Sequence, residues 1–251
     1  MKNYAKANAE IFEKWKDRYC FDWMKPIDHA MYEKAKNGEP LLTLTPIKKT
    51  PFWWYANCKG KKILGLAAGG GQQMAILAAL GANCTLLDIS DSQIDADIEV
   101  SKREKYDLNI AKCDMSEPFP FHDETFDMVV NPISNHYVQD VGFVFREAYR
   151  VLKRGGIFLA GLDNGFYWTI NPLTMKMEVR QPVNPLEDKA LMESIVQNEQ
   201  AIQFSHSIEE QIRLQLKAGF RLVDIYDDTE PGIFQELNIP TSFATYMAKE
   251  L

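Results

Sequence analysis

From Lys61 onward the chain alternates short apolar runs with stretches of helical periodicity, and this alternation limits the fold more than any other feature. The apolar runs fall at 63–67, 84–88, 108–113, 126–131 and 157–162, with helices expected near 72–80, 91–105 and 139–153. Apolar strands that alternate with amphipathic helices build a parallel sheet covered on its faces. Ser90 and Gln93 stand at capping-box spacing before the second helix. Lys153-Arg154-Gly155-Gly156 puts cations and glycine where the third helix is expected to end. A second capping-box spacing, Ser207 to Glu210, opens a helix expected to run to Ala218. The last two strands, 220–227 and 241–249, are about 13 residues apart with Pro231 and Pro240 between them, so an antiparallel return is expected.

Two regions stand outside this alternation. Residues 1–60 read as helices and loops rich in aromatics (Tyr4, Trp15, Tyr19, Phe21, Trp23, Trp53, Trp54 and Tyr55) and are expected to form a helical lid. Residues 61–251 form the main domain, with an insert at about 163–206. In that insert Met175, Met177 and Val179 alternate with Lys176, Glu178 and Arg180 after a turn at Asn171-Pro172, which predicts a β-hairpin with one apolar face. Tyr167, Trp168, Met175 and Met177 then offer either an acceptor-binding wall or satellite core.

The most informative stretch is Ile63-Leu64-Gly65-Leu66-Ala67-Ala68-Gly69-Gly70-Gly71-Gln72-Gln73, where a strand runs through three glycines into a helix. Glycine is needed where backbone turns tightly and passes close to a ligand, and the helix start offers free N–H groups. Asp88 ends the second strand and can accept both hydroxyls of a ribose. Asp114, in Cys113-Asp114-Met115, ends the third strand, where an acid can accept from an adenine amino group and an apolar neighbour can cover the ring. Each acid alone reads equally well as a helix cap or a turn residue. A dinucleotide fingerprint needs glycine where Met74 stands, so an NAD-dependent oxidoreductase is the lesser alternative.

These residues, with Phe126-Asp127-Met128-Val129-Val130 and the run from Arg146 to Gly156, resemble a class I S-adenosylmethionine-dependent methyltransferase of the methyltransferase type 11 branch, over roughly 100 residues. The resemblance implies an α/β, Rossmann-like seven-stranded sheet with an antiparallel last strand. It implies S-adenosyl-L-methionine as cofactor, held by Ala67, Ala68, Gly69, Gly71, Asp88, Ile89, Gln93, Asp114, Met115 and Asn131. It also implies in-line methyl transfer to a small-molecule acceptor, driven by proximity and alignment. The sequence departs from the family at Gly65, where an acid is usual, and at Ala67, where the first glycine is usual. Gly65, Ala67 and the absence of a convincing base keep a second alternative open, a non-catalytic S-adenosylmethionine-binding protein.

Acceptor contacts are expected in the loop after the fourth strand, where His136 is the candidate base because imidazole titrates near neutrality. A hydrogen-bonded loop histidine is the competing reading. His206, before the Ser207-capped helix, can face the same cavity, whereas His29 and His122 read as surface positions. The four histidines and four cysteines show no ligand-type spacing, so no metal site is expected. With 28 basic and 35 acidic residues the net charge is −7, so no nucleic-acid partner is expected. The basic run Lys48, Lys49, Lys59, Lys61 and Lys62 reads as a solvated face. The charged start and the lack of any long apolar run lead us to expect no signal peptide, no membrane span and a cytoplasmic protein. At 46% hydrophobic and 25% charged, the 251 residues suffice for a core without staples.

Overall fold

A computed structural model describes residues 2–18, 21–167, 169–170, 174, 176–177 and 180–250. Among them, seven strands form one sheet: β1 (Lys62–Leu66), β2 (Asn83–Asp88), β3 (Leu108–Lys112), β4 (Phe126–Asn131), β5 (Leu152–Asp163), β6 (Phe220–Asp228) and β7 (Ser242–Lys249). Their order is β3-β2-β1-β4-β5-β7-β6. The first five strands pair in parallel. β7 enters antiparallel to β5, and β6 antiparallel to β7, as the short spacing between the last two strands requires.

The inner strands are apolar on both sides because helices cover both sides. Alternate residues Ile63, Leu86, Val130 and Leu159 face α2 (His29–Lys36), α3 (Gln73–Ala79) and α4 (Asp91–Glu104). Leu64, Leu66, Leu87, Val129 and Phe158 face the other way, against α5 (Val141–Val151) and α7 (Ile208–Ala218). These side chains are almost wholly buried, at about 1.5–3 kcal/mol each. Two parallel crossovers meet between β1 and β4, and the carboxyl ends of the strands open there into the crevice where ligands bind in such sheets.

Three local expectations change. The helix expected over 139–153 ends at Val151, and Leu152 already pairs with Phe126. Between that pair and Ile157 with Met128, β5 takes five steps against two on β4. Gly155, at φ +71°, therefore serves a bulge rather than a helix cap, and Lys153 pairs with Asp127 at 2.9 Å. At α4, Ser90 Oγ accepts the Gln93 N–H at 3.3 Å as expected, but the returning half of the capping box is missing. Asp88 Oδ1 takes the Ser90 N–H instead, at 3.0 Å. In the insert, an antiparallel bridge joins Ile170 to Met177, whose side chain is 76% exposed and lines no wall. Asn171, Pro172, Trp168, Met175 and Val179 lie outside the described residues. The insert continues into α6 (Lys189–Gln197).

α1 (Asn3–Arg18) crosses the carboxyl edge of the sheet. Its Tyr4 packs edge-on against Phe204, and its Phe12 against Tyr137. Glu13 accepts from the Ser92 N–H and the Ser90 hydroxyl at the start of α4, both at 3.0 Å. The buried Asn8 side chain makes a reciprocal pair with Ile202, donating to its carbonyl at 2.8 Å and accepting its N–H at 2.7 Å. Asn8→Ala strands two buried backbone groups, which costs about 1–3 kcal/mol. Thermal unfolding of Asn8→Ala should therefore begin several degrees below the parent, with α1 the first segment cut in limited proteolysis. An unchanged Tm would refute this account of how α1 is held.

Candidate active site

The strand ends and α1 line a cavity of about 740 Å³ that is open to solvent on one side. Its floor is the loop after β1. At Gly69 a Cβ atom would lie 2.6 Å from Gln93 Cβ and 2.7 Å from Asp88 Oδ2, so only glycine lets the backbone pass this close. Asp88 Oδ2 accepts the Gly69 N–H at 3.0 Å. One carboxylate thus ties the β1 loop to the start of α4. Burial pushes the Asp88 pKa upward, against the backbone hydrogen bonds that pull it down. Asp114 is likewise buried; its Oδ1 accepts from the Ser116 N–H and hydroxyl at 2.8 and 2.7 Å. Leu87, Ile89, Cys113 and Met115 supply the apolar wall between the two acids.

Of the residues expected to hold a cofactor, Ala67, Gly69, Asp88, Ile89, Gln93, Asp114 and Met115 line this cavity. Ala68, Gly71 and Asn131 stand behind its wall. Asn131 is fully buried, and its Nδ2 donates to the Leu66 carbonyl and to Ser134 Oγ, both at 2.8 Å, clasping the ends of β1 and β4. These residues suit an adenosyl group: two strand-end carboxylates for donors, an apolar slot between them, and a glycine passage. The buried Gln93 Oε1, with no hydrogen-bond partner among the described residues, lines the same end and can accept one more donor.

Met74 occupies the space an acid at position 65 would take. A Cβ on Gly65 would lie 2.5 Å from Met74 Cε and 2.6 Å from its Sδ. The loop is instead held from α4, where Asp97 Oδ2 accepts the Gly71 N–H at 2.8 Å. Sequence reading missed Asp97, because a polar residue on a polar helix gives no signal of burial. It is wholly buried, its Oδ1 has no hydrogen-bond partner among the described residues, and Asp88, Tyr106 and Cys84 surround it. Burial, more than the neighbouring Asp88 charge, raises its pKa to about 7.

Ala67, in place of the usual glycine, sits at φ +45°, a left-handed conformation costing an L-residue about 1–2 kcal/mol. Ala67→Gly should therefore raise Tm by a few degrees. For Asp97 the unfolded carboxyl ionises near pH 4 and the folded one near 7, so its cost to stability grows as the pH climbs between them and is constant above. The Tm difference between Asp97→Asn and the parent should thus become more positive by several degrees from pH 5 to pH 8. A flat difference would refute this ionisation.

At the other end of the cavity, the 3-10 turn at Asn135–Tyr137 buries His136 against Tyr137, with ring centroids 4.0 Å apart. Burial, and to a lesser extent His206, pushes the His136 pKa down to about 3, so the ring stays neutral at physiological pH and does not titrate near neutrality as the sequence suggests. Its Nδ1 lies 3.7 Å from Asp163 Oδ2. His206 is buried with Nε2 2.8 Å from the Val138 carbonyl and does not line the cavity. Asp163, Tyr167, Glu230 and Ser242 complete this end. Asp163 and Ser242 are cross-strand partners in the β5–β7 ladder, a juxtaposition only the fold reveals. Above them, Phe12, Trp15, Phe21 and Trp23 form an interlocked roof, Phe21 stacked on Trp23 and the others edge-on or tilted.

Residues 64–160 match the Methyltransf_11 family, a methyltransferase domain. The chain is 35% identical over 235 residues to the uncharacterized methyltransferase YbaJ of Bacillus subtilis (strain 168), spanning 91% of this chain and 92% of that one. An S-adenosylmethionine-dependent methyltransferase from Mesorhizobium loti shares the fold, with a TM-score of 0.58 at 16% identity over 76% of this chain and 92% of that one. So does the 1,6-didemethyltoxoflavin-N1-methyltransferase of Burkholderia thailandensis, solved with its acceptor and S-adenosylhomocysteine. Its TM-score is 0.62 at 15% identity, covering 99% of this chain and 89% of that one.

Proposed function

The chain belongs to the S-adenosylmethionine-dependent methyltransferases, and from that premise we propose that it methylates a small-molecule acceptor held in the cavity beneath α1. The family match favours neither the dinucleotide oxidoreductase nor the non-catalytic binder. The observation that carries the reading is the size and lining of the cavity: a space of about 740 Å³ floored by strand ends, with four aromatic rings over part of its mouth. Small-molecule sites fall within about 300–1,000 Å³ and are mostly apolar with a few placed polar groups. The Burkholderia enzyme of the same fold, solved with 1,6-didemethyltoxoflavin bound, is in keeping with this reading.

In this reading Asp88 accepts the ribose hydroxyls and Asp114 the adenine amino group. Ile89 and Met115 cover the ring, and Gly69 gives way to the amino-acid arm. S-adenosylmethionine supplies an activated methyl group. The chain's own contribution is to place the acceptor in line behind it, which is catalysis by proximity and orientation. Phe12, Trp15, Phe21 and Trp23 exclude the water that would compete as nucleophile.

Two measurements test this. Calorimetry should find S-adenosylhomocysteine bound by the parent and weakened at least about tenfold in Asp88→Ala, since two charge-assisted hydrogen bonds disappear. With methyl-labelled S-adenosylmethionine and a cell extract, label should enter the low-mass fraction. Label confined to protein or nucleic acid would overturn the small-molecule reading.

A further inference from the structure

We propose that the acceptor is a nitrogen base, an amine or a ring nitrogen on a flat apolar body, and that Asp163, beside Ser242, receives the positive charge that methylation delivers to it. This rests on the methyltransferase reading and adds the acceptor's chemistry. The first support is the sign of the cavity. Asp88, Asp114, Asp163 and Glu230 line it, and no lysine or arginine does among the described residues. A carboxylated or phosphorylated acceptor would meet acids with no counter-charge, which costs several kcal/mol. A neutral or cationic acceptor meets none of that penalty.

The second support is where the polar groups stand. Asp163 ends β5, 6% exposed, with Oδ1 accepting the Gly165 N–H at 2.9 Å and Oδ2 turned toward His136. Its cross-strand partner Ser242 is 2% exposed, and the Ser242 hydroxyl has no hydrogen-bond partner among the described residues although the residue lines the cavity. A buried hydroxyl without a partner is costly to keep and marks a place where a ligand atom completes the bonding. An acceptor nitrogen with its N–H groups can donate to the carboxylate and the hydroxyl together. The roof of Phe12, Trp15, Phe21 and Trp23 with Tyr137 below fits a flat ring, and aromatic faces also favour a cation.

The third support is the charge balance of the reaction. The nitrogen lone pair forms the new N–C bond as the S–C bond breaks, and the S–C electron pair stays on sulfur. Positive charge thereby moves from sulfur to nitrogen. An N–H proton of the product then leaves to solvent, or the charge stays where the nitrogen carries no proton. A carboxylate fixed where this charge develops stabilises the transition state. An acceptor that arrives as an ammonium gives one proton to solvent before the lone pair attacks.

The test uses naphthalen-1-ylmethylamine, naphthalen-1-ylmethanol and 1-naphthoate, titrated by calorimetry and ligand-observed NMR against protein saturated with S-adenosylhomocysteine. The amine should bind at least about tenfold tighter than the carboxylate, the scale of one hydrogen-bonded charge. Asp163→Asn should collapse that preference while S-adenosylhomocysteine affinity changes less than about twofold, because Asp163 lies on the far side of the cavity from Asp88 and Asp114. If Asp163→Asn does not fold, Ser242→Ala removes the second acceptor for the same N–H groups and should lower the amine-over-carboxylate preference several-fold. Carboxylate binding as tight as amine binding, no amine binding at all, or an unchanged preference in the folded variant would overturn the proposal. Failure of S-adenosylhomocysteine to bind the parent would instead strike the methyltransferase reading, and the charge preference of the unliganded protein would still be measurable.

Discussion

The contact on which the rest of the site depends is the close approach of Gly69 to the Asp88 carboxylate. Through one side chain the loop after β1, the start of α4 and the cavity floor are held in a single arrangement. Removing a Cβ at position 69 is what lets Oδ2 come within hydrogen-bond distance of the backbone. The same contact accounts for the incomplete capping box. Asp88 satisfies the Ser90 N–H, Gln93 is released from that duty, and its amide is left lining the cavity. Glu13 then takes over part of the helix start from α1. The roof is therefore fastened to the same helix terminus that holds the floor.

The glycine loop shows how an altered motif keeps its shape. Without an acid at position 65, Met74 packs into the vacated space and the strand end becomes apolar. The loop still needs an acceptor for the Gly71 N–H, and Asp97 provides it from the opposite side. This solution carries an energetic cost, because Asp97 is wholly buried. Ala67 adds backbone strain of its own. The loop thus combines a retained geometry with reduced stability, which is where natural proteins commonly concede stability to function.

What was legible in the sequence was what rests on local periodicity. The strand runs, the antiparallel return before Lys249 and the positions of Asp88, Asp114, Ile89 and Met115 at strand ends all follow from neighbours a few residues apart. What was not legible depends on distant pairing. Val151 ends its helix because Leu152 finds Phe126 across the sheet, and no residue between 146 and 156 announces that. Asp97 reads as a solvent-facing acid until Gly71 folds onto it. Asp163 and Ser242 become neighbours only through the β5–β7 ladder. His136 was legible as a loop histidine near the acceptor, but its burial, and so its neutral charge, comes from the packing of Tyr137 and the segment after α6.

The distribution of charge joins these observations. Each buried acid at the carboxyl end of β2 and β3 and behind the β1 loop has its charge offset by backbone N–H groups: Asp88 by Gly69 and Ser90, Asp97 by Gly71, Asp114 by Ser116. Neutral dipoles temper a buried carboxylate without cancelling its field, and the raised pKa values of Asp88, Asp97 and Glu230 show burial winning over that tempering. The folded state thus keeps an electrostatic tension that a cation close to these acids would relieve. By linkage, a cation bound beside these acids would lower their pKa values and stabilise the fold.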